Sequence, residues 1–277
     1  MLTHPQPDPV AFTIPLPGSW DLGVHWYGLM YLLGFAAALW LGHRRAKQAW
    51  RNWNGEQVDD LVFYAAMGVI IGGRVGYMLF YDLAHFLENP LSLFMLSRGG
   101  MSFHGGFLGV LVAMWLLARK HGKAYWDVVD FVAPLVPPGL FTGRIGNFIN
   151  GELPGRPADP DLWWSMVYPQ VDAIARHPSA LYQALTEGIV LFLLVWIFSR
   201  RPRPRYATSG VFALGYGCFR FTTEFFRTPD AHIGFVAFGW LTMGQLLCIP
   251  MILVGIFMLW LAYRKRIMPV LAGEAGK

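Results

Sequence analysis

Long apolar runs dominate the chain, in place of the alternation of a half-buried strand or the single stripe of a soluble helix. A helix needs about 20 mostly apolar residues to cross a bilayer core roughly 30 Å thick. Seven runs meet or approach that length: about Leu22–Leu41, Leu61–Phe80, Phe103–Ala118, Val128–Phe148, Ala180–Phe198, Gly210–Phe226 and Trp240–Ala262. The fourth is interrupted by Pro134, Pro137 and Pro138, each of which removes a backbone donor and leaves neighbouring helices to satisfy the freed carbonyl. The pattern predicts an all-α, polytopic membrane protein with seven transmembrane helices in a single domain over residues 1–277. Residues 1–20 are Pro-rich and lack the basic start and apolar centre of a cleavable leader. They read as an extracytoplasmic N-terminal arm near the membrane surface. The longest insertion between runs, 150–179, is rich in Pro, Asp and Trp and predicts a small outward-facing cap. No internal repeat is evident.

Composition sharpens this picture. Of the 277 residues 55% are hydrophobic and only 14% charged, against about 25% charged in a soluble domain. That balance argues against an ordinary soluble enzyme and against a disordered chain. Cys218 and Cys248 both lie in apolar runs and offer neither zinc spacing nor a disulfide framework. The net charge of +5 is a matter of topology, because short cytoplasmic loops collect Lys and Arg. Basic clusters follow the first run (Arg44, Arg45, Lys47, Arg51), the third (Arg119, Lys120, Lys123), the fifth (Arg200, Arg201, Arg203, Arg205) and the last (Arg264, Lys265, Arg266, Lys277). With seven spans all four clusters fall on one side, which puts the N-terminus outside and the C-terminus inside. No nucleic-acid partner is needed to explain the charge.

Seven basic residues remain: Arg74, Arg98, Arg144, Arg156, Arg176, Arg220 and Arg227. All are arginine, whose planar guanidinium stays charged when buried and fits phosphate oxygens with two donors at once. Arginine within a span faces the bundle interior or a water-filled cavity, so several near the outer half predict a site for an anionic headgroup. Snorkelling at the interface or structural ion pairing is the alternative, above all for Arg98, Arg156 and Arg176. Arg220, Glu224 and Arg227 fall at i, i+4 and i+7, on one helical face, so that Glu224 could orient one arginine and leave another for a ligand. In GRIGNFINGELPGRP, Arg144 and Asn147 lie one turn apart, and Asn150, Gly151 and Glu152 follow where the helix should end. His104, in SFHGGFLG, is an ionisable group near the outer interface, suited either to proton transfer or to structural hydrogen bonding. Tyr27 could donate to phosphate or serve as an interfacial anchor.

Read together, HWYGLMY (25–31), GGRVGYMLFYD (72–82), GGMSFHGG (99–106), GRIGNFINGELPGR (143–156), RHPSALYQALTEG (176–188), FRFTTEFFRTPD (219–230) and MGQLLCIPM (243–251) resemble the prolipoprotein diacylglyceryl transferase family, in order and over most of the chain. The resemblance implies a seven-span enzyme of the bacterial inner membrane with its active site toward the periplasmic side. Its partners would be phosphatidylglycerol, a lipobox-containing preprolipoprotein and the surrounding membrane lipids. The implied reaction moves the diacylglyceryl group to the lipobox cysteine thiol, forming a thioether and releasing glycerol 1-phosphate, with no metal or organic cofactor. Tyr27, His104, Arg144, Asn147, Glu152, Gly155, Arg220 and Glu224 match the family's functional positions, and Arg74 and Asn150 lie in matching motifs. The chain departs from the pattern at Gln183, where the family usually carries glutamate. Glu187, one turn on, is a candidate substitute.

These residues support a specific expectation. Arg144 and Arg220 clamp the lipid phosphate, Glu224 and Asn147 orient them and the headgroup, Tyr27 adds a hydrogen bond, and His104 is the candidate base. Glu152 either steadies the outer loop or helps accept the proton. A transporter or binding protein for an anionic lipid or solute is the alternative, because arginines and prolines in spans also mark permeation routes. A retinal photoreceptor would need a lysine inside a span, whereas every lysine here lies in a basic cluster between or after the runs. GxSxG and HExxH motifs of hydrolases are lacking.

Overall fold

The computed structural model describes residues 1–16, 20–95, 99–229 and 234–268. Arg98 and Lys277 lie outside the described residues. Each of the seven apolar runs is helical over most of its length, with offsets that have local causes. The first helix, α1 (Trp26–Ala46), starts four residues late because Trp20–His25 belongs to a strand. The next is α2 (Gly55–Phe80), whose N-cap Asn54 forms a capping box with Gln57. A short α3 (Leu83–Glu88) precedes α4 (Phe103–Lys120), which is capped by the Ser102 side chain accepting from the Gly105 amide.

The proline-broken run folds as α5 (Tyr125–Val132), a 3₁₀ turn at Ala133–Leu135, and α6 (Val136–Ile149). The fifth run is α7 (Ser179–Gln183) and α8 (Leu191–Phe198), joined by a π-helical stretch at Ala184–Val190. Then come α9 (Ala207–Thr223) and α10 (Met243–Lys265), the latter with its own capping box from Thr242 and Gln245. Among the described residues, four helical segments are long and apolar enough to cross a membrane: Gly55–Phe80, Tyr125–Ile149, Ser179–Phe198 and Met243–Lys265. Leu32, Trp40, Phe63, Leu253 and Phe257 are each more than half exposed. That much bare apolar surface fits a protein covered by lipid rather than water.

The mostly helical chain also holds short strands that the apolar pattern did not announce. Strand β1 (Leu2–Thr3) pairs parallel with β4 (Met166–Val167), which pairs antiparallel with β5 (Ala175–Arg176). The N-terminal arm is a hairpin of β2 (Val10–Leu16) and β3 (Trp20–His25) with Ile14 opposite Leu22, and β6 (Phe235–Ala237) pairs with β7 (Leu241–Thr242). Alternation over so few residues is too brief to register beside the long apolar runs.

By contacts the described chain forms two compact units, Met1–Ala38 with residues 130–268, and Leu39–Val129. In the second unit α2 and α4 pack along a seam of glycines, with Gly68 and Gly72 against Gly105 and Gly109, and Asp60 accepts from Lys120 at 2.6 Å. In the first, Ala133, Leu191 and Val195 form an apolar cluster covered by Val211, Phe212, Tyr216 and Phe219. Asp130 caps the start of α9, accepting from the amides of Tyr206 and Ser209 at 2.8 Å each.

Candidate active site

Three helices of the first unit bring charge together. From α6, Arg144 reaches the π-helical stretch, where its Nη2 lies 3.4 Å from Glu187 Oε2. Close approach of the two segments depends on Gly188, where a Cβ would stand 2.6 Å from that of Phe141. The other Glu187 oxygen accepts from Thr223 Oγ1 at 3.3 Å and lies 3.8 Å from Arg220 Nη1. Arg220 in turn meets Glu224 Oε2 at 2.9 Å through Nη2. Glu224 Oε1 accepts from Arg227 Nη1 and from Thr242 Oγ1, both at 3.2 Å. The result is one alternating chain: Arg144, Glu187, Arg220, Glu224, Arg227.

The electrostatics follow from burial. The Glu187 side chain is wholly buried and that of Glu224 is 2% exposed, so the cations beside them offset the cost of taking two carboxylates out of water. The three guanidiniums are 13–20% exposed and keep their charge. Three cations against two anions leave one positive charge in surplus. Arg220 Nη1 is buried and makes no hydrogen bond. Glu224 therefore holds both Arg220 and Arg227, where the spacing suggested that one of them would be left for a ligand. Gln183, on the same buried side of the fifth run, is fully enclosed, and neither of its amide atoms has a hydrogen-bond partner.

At the end of α6 the chain folds back on itself. Asn150 closes the helix, and Gly151, at φ +66°, reverses direction in the left-handed region that glycine favours. Glu152 then accepts from Asn147 Nδ2 at 2.7 Å and Asn150 Nδ2 at 3.0 Å, while its amide donates to the Asn147 carbonyl. Asn147 Oδ1 lies 3.5 Å from Arg144 Nη1, so Glu152 is linked to the charged chain through Asn147. Tyr27, in the first turn of α1, has its ring against Gly146 and its hydroxyl 3.4 Å from that of Tyr31.

The base of the cap is tied to the end of α9. The Gly155 amide donates to the His177 carbonyl at 3.0 Å. A Cβ at 155 would stand 2.2 Å from that oxygen and 2.6 Å from the Phe226 carbonyl oxygen, so glycine is required there. Arg156 donates through its amide to Phe226 and through Nε to the Arg227 carbonyl, both at 2.9 Å. Arg176 binds Asp172 and donates to the Gly155 carbonyl at 2.9 Å. The Arg176 guanidinium holds the Asp172 carboxyl below its usual range, and burial pushes His177 down. Arg156 and Arg176 thus carry structural bonds.

Arg74 and His104 belong to the second unit. Arg74 is buried and donates to five backbone carbonyls, those of Ser92, Leu93, Met95, Gly99 and Gly100. Its guanidinium holds the chain that leads into α4. His104 is exposed in the first turn of that helix, with its ring edge-on to Phe103. Among the described residues no group of three His, Cys, Asp or Glu side chains could hold a metal ion.

A family model described as prolipoprotein diacylglyceryl transferase matches residues 9–261. The chain belongs to that family. Relatives named phosphatidylglycerol–prolipoprotein diacylglyceryl transferase are similar to it over nearly its whole length. One from Nitratidesulfovibrio vulgaris is 57% identical over 259 residues, covering 94% of this chain and 96% of the relative. One from Coxiella burnetii is 57% identical over 266 residues, covering 96% and 99%, and one from Legionella pneumophila is 55% identical over 260, covering 94% and 99%. Within this family member, Thr223 and Thr242 are the site residues that carried no signal as such. Thr242 could have been found from its capping pattern with Gln245, which fixes the start of α10 beside Glu224.

Proposed function

We propose that this protein transfers the diacylglyceryl group of phosphatidylglycerol to the lipobox cysteine thiol of a preprolipoprotein, the first step of bacterial lipoprotein maturation. The observation that carries the reading is the alternating chain of three arginines and two buried carboxylates, with its surplus positive charge. Membership of the family supplies the reaction class.

The chemistry asks for that arrangement. Only the thiolate attacks well, so the thiol must first lose its proton. Sulfur then forms a bond to the glycerol carbon that bears phosphate, and the carbon–oxygen bond breaks with its electrons going to the phosphate oxygen. A phosphodiester with one negative charge becomes a monoester with more. Guanidiniums fixed in advance, in a site poor in water, stabilise that growing charge without reorganising. Arg144 and Arg220 face the phosphate in this scheme. Glu187 and Glu224 hold them apart and in place, and Asn147 and Tyr27 add polar contacts to the headgroup. Glu152, steadied by Asn147 and Asn150, guards the outer turn, and Gly155 lets the cap close on α9. Arg74 shapes the approach to α4, and His104, exposed at the start of that helix, is the proposed proton acceptor.

We further infer seven spans with the N-terminus outside, in the bacterial inner membrane, and the site toward the periplasmic side. Basic residues end α1, α4 and α10 (Arg44 and Arg45, Arg119 and Lys120, Arg264 and Lys265), as cytoplasmic helix ends do. Reconstitution with phosphatidylglycerol and a lipobox peptide tests the function. A diacylglyceryl adduct by mass spectrometry, with glycerol phosphate released in equal amount, is the expected result. Lipid binding without an adduct would leave a carrier.

A further inference from the structure

Gln183 has no role in the scheme so far, yet its burial is hard to account for without one. Its side chain is fully enclosed, and both Oε1 and Nε2 lack a hydrogen-bond partner. An amide that can both donate and accept is costly to bury with neither capacity used. Ser179, Gln183 and Glu187 follow at intervals of four, and all three are fully buried, so they line one side of the segment. Ser179 is satisfied by the Leu153 carbonyl at 2.7 Å, and Glu187 by Arg144 and Thr223, with Arg220 Nη1 3.8 Å away. Only the middle residue is left without a partner.

We propose that Gln183 recognises the hydroxyls of the terminal glycerol in the phosphatidylglycerol headgroup, and so selects this lipid among anionic phospholipids. This rests on the transfer reading above. Four residues along a helix span about 6 Å, comparable with the reach of a three-carbon glycerol from its phosphate. A phosphate engaged by Arg144 and Arg220, which meet at Glu187, therefore brings that glycerol level with Gln183. A hydroxyl donates one hydrogen bond and accepts others, as the amide does, so one pairing uses both groups.

The test compares phosphatidylglycerol with phosphatidylpropanol, which has the same phosphodiester charge without the two hydroxyls, in vesicles containing the full chain and a lipobox peptide. The wild-type protein is expected to favour phosphatidylglycerol by about tenfold or more in kcat/KM, since a site built around a hydroxyl rejects the analogue lacking it. Gln183→Met, close in shape and without the amide, should bring that ratio to within about threefold of unity. Gln183→Asn, with the amide drawn back by one carbon, should lower it as well, which covers the case of a Met variant that does not accumulate.

Equal transfer from both lipids by the wild type would overturn the proposal. So would a Gln183→Met protein slowed equally on both, the behaviour expected if Gln183 held only a structural water. Absence of an adduct from either lipid with the wild type would instead bring down the transfer reading, and this assignment with it.

Discussion

Glu187 and Arg144 meet between two helices, with Oε2 of the wholly buried carboxylate 3.4 Å from Nη2 of the guanidinium. The same carboxylate faces Arg220 through its other oxygen. Replacing it by an amide would leave two cations facing each other with no negative charge between. Glu187→Gln is expected to cost about 3 kcal/mol of stability, the low end for breaking a buried pair, and to abolish most transfer. Thermal unfolding in detergent and peptide lipidation would measure the two effects. A variant with wild-type stability would show that the two guanidiniums do not need the charge between them.

Arg144→Lys keeps the charge and loses the fork. One ammonium cannot reach Asn147, Glu187 and a phosphate together, so transfer should fall about 100-fold with little change in abundance. Near-normal rates would remove two-pronged phosphate binding from the scheme.

At Gly155 the constraint is backbone against backbone. Gly155→Ala places a Cβ 2.2 Å from the His177 carbonyl oxygen, and neither the cap nor α9 can move without breaking the bonds of Arg156 to residues 226 and 227. A loss of about 1–3 kcal/mol and of transfer is expected. Gly143, in the same motif, has nothing within 4 Å of an added Cβ, and Gly143→Ala should be tolerated.

Acid should loosen the cap in two stages. Burial holds His177 below its ordinary value, so the unfolded chain takes up that proton first. Stability is lost as pH falls from about 6.5 to the depressed folded value. Asp172 is also held low, by Arg176. Its contribution is present above the unfolded value of about 3.9 and disappears as pH falls through the folded one. Hydrogen exchange of the amides at 155 and 177 should follow both stages. His177→Gln should remove the upper stage and Asp172→Asn the lower.

His104→Gln should slow transfer about 10²–10⁴-fold if the imidazole takes the thiol proton. Peptide lipidation followed by mass spectrometry measures the rate, and transfer at the wild-type rate would assign His104 to structure.

Much of this was legible in the sequence, and the rest was hidden for definite reasons. The apolar runs located the helices because lipid imposes length and composition at once. Arg144, Asn147, Arg220 and Glu224 could be found from single-turn spacings, which survive in any regular helix. By sequence alone Glu187 is only a stand-in for a missing carboxylate. Its place between Arg144 and Arg220 depends on α6 lying against the π-helical stretch, a long-range contact that no local spacing encodes. By sequence Arg74 reads as a ligand-binding arginine, since composition cannot distinguish a phosphate from five backbone carbonyls. The strands within the cap are two residues long, too short to leave a pattern.

The wide turn at Ala184–Val190 has a consequence for the whole fifth helix. Residues 179, 183, 187, 191 and 195 are all fully buried, although in a regular α-helix each step of four swings about 40° further round the axis. Looser winding takes up that drift, so a single file runs from a hydroxyl through an amide and a carboxylate to plain hydrocarbon. Deleting one residue from the turn would leave helicity nearly untouched and rotate Leu191 and Val195 out of line with Glu187. Phase is what the extra residue supplies.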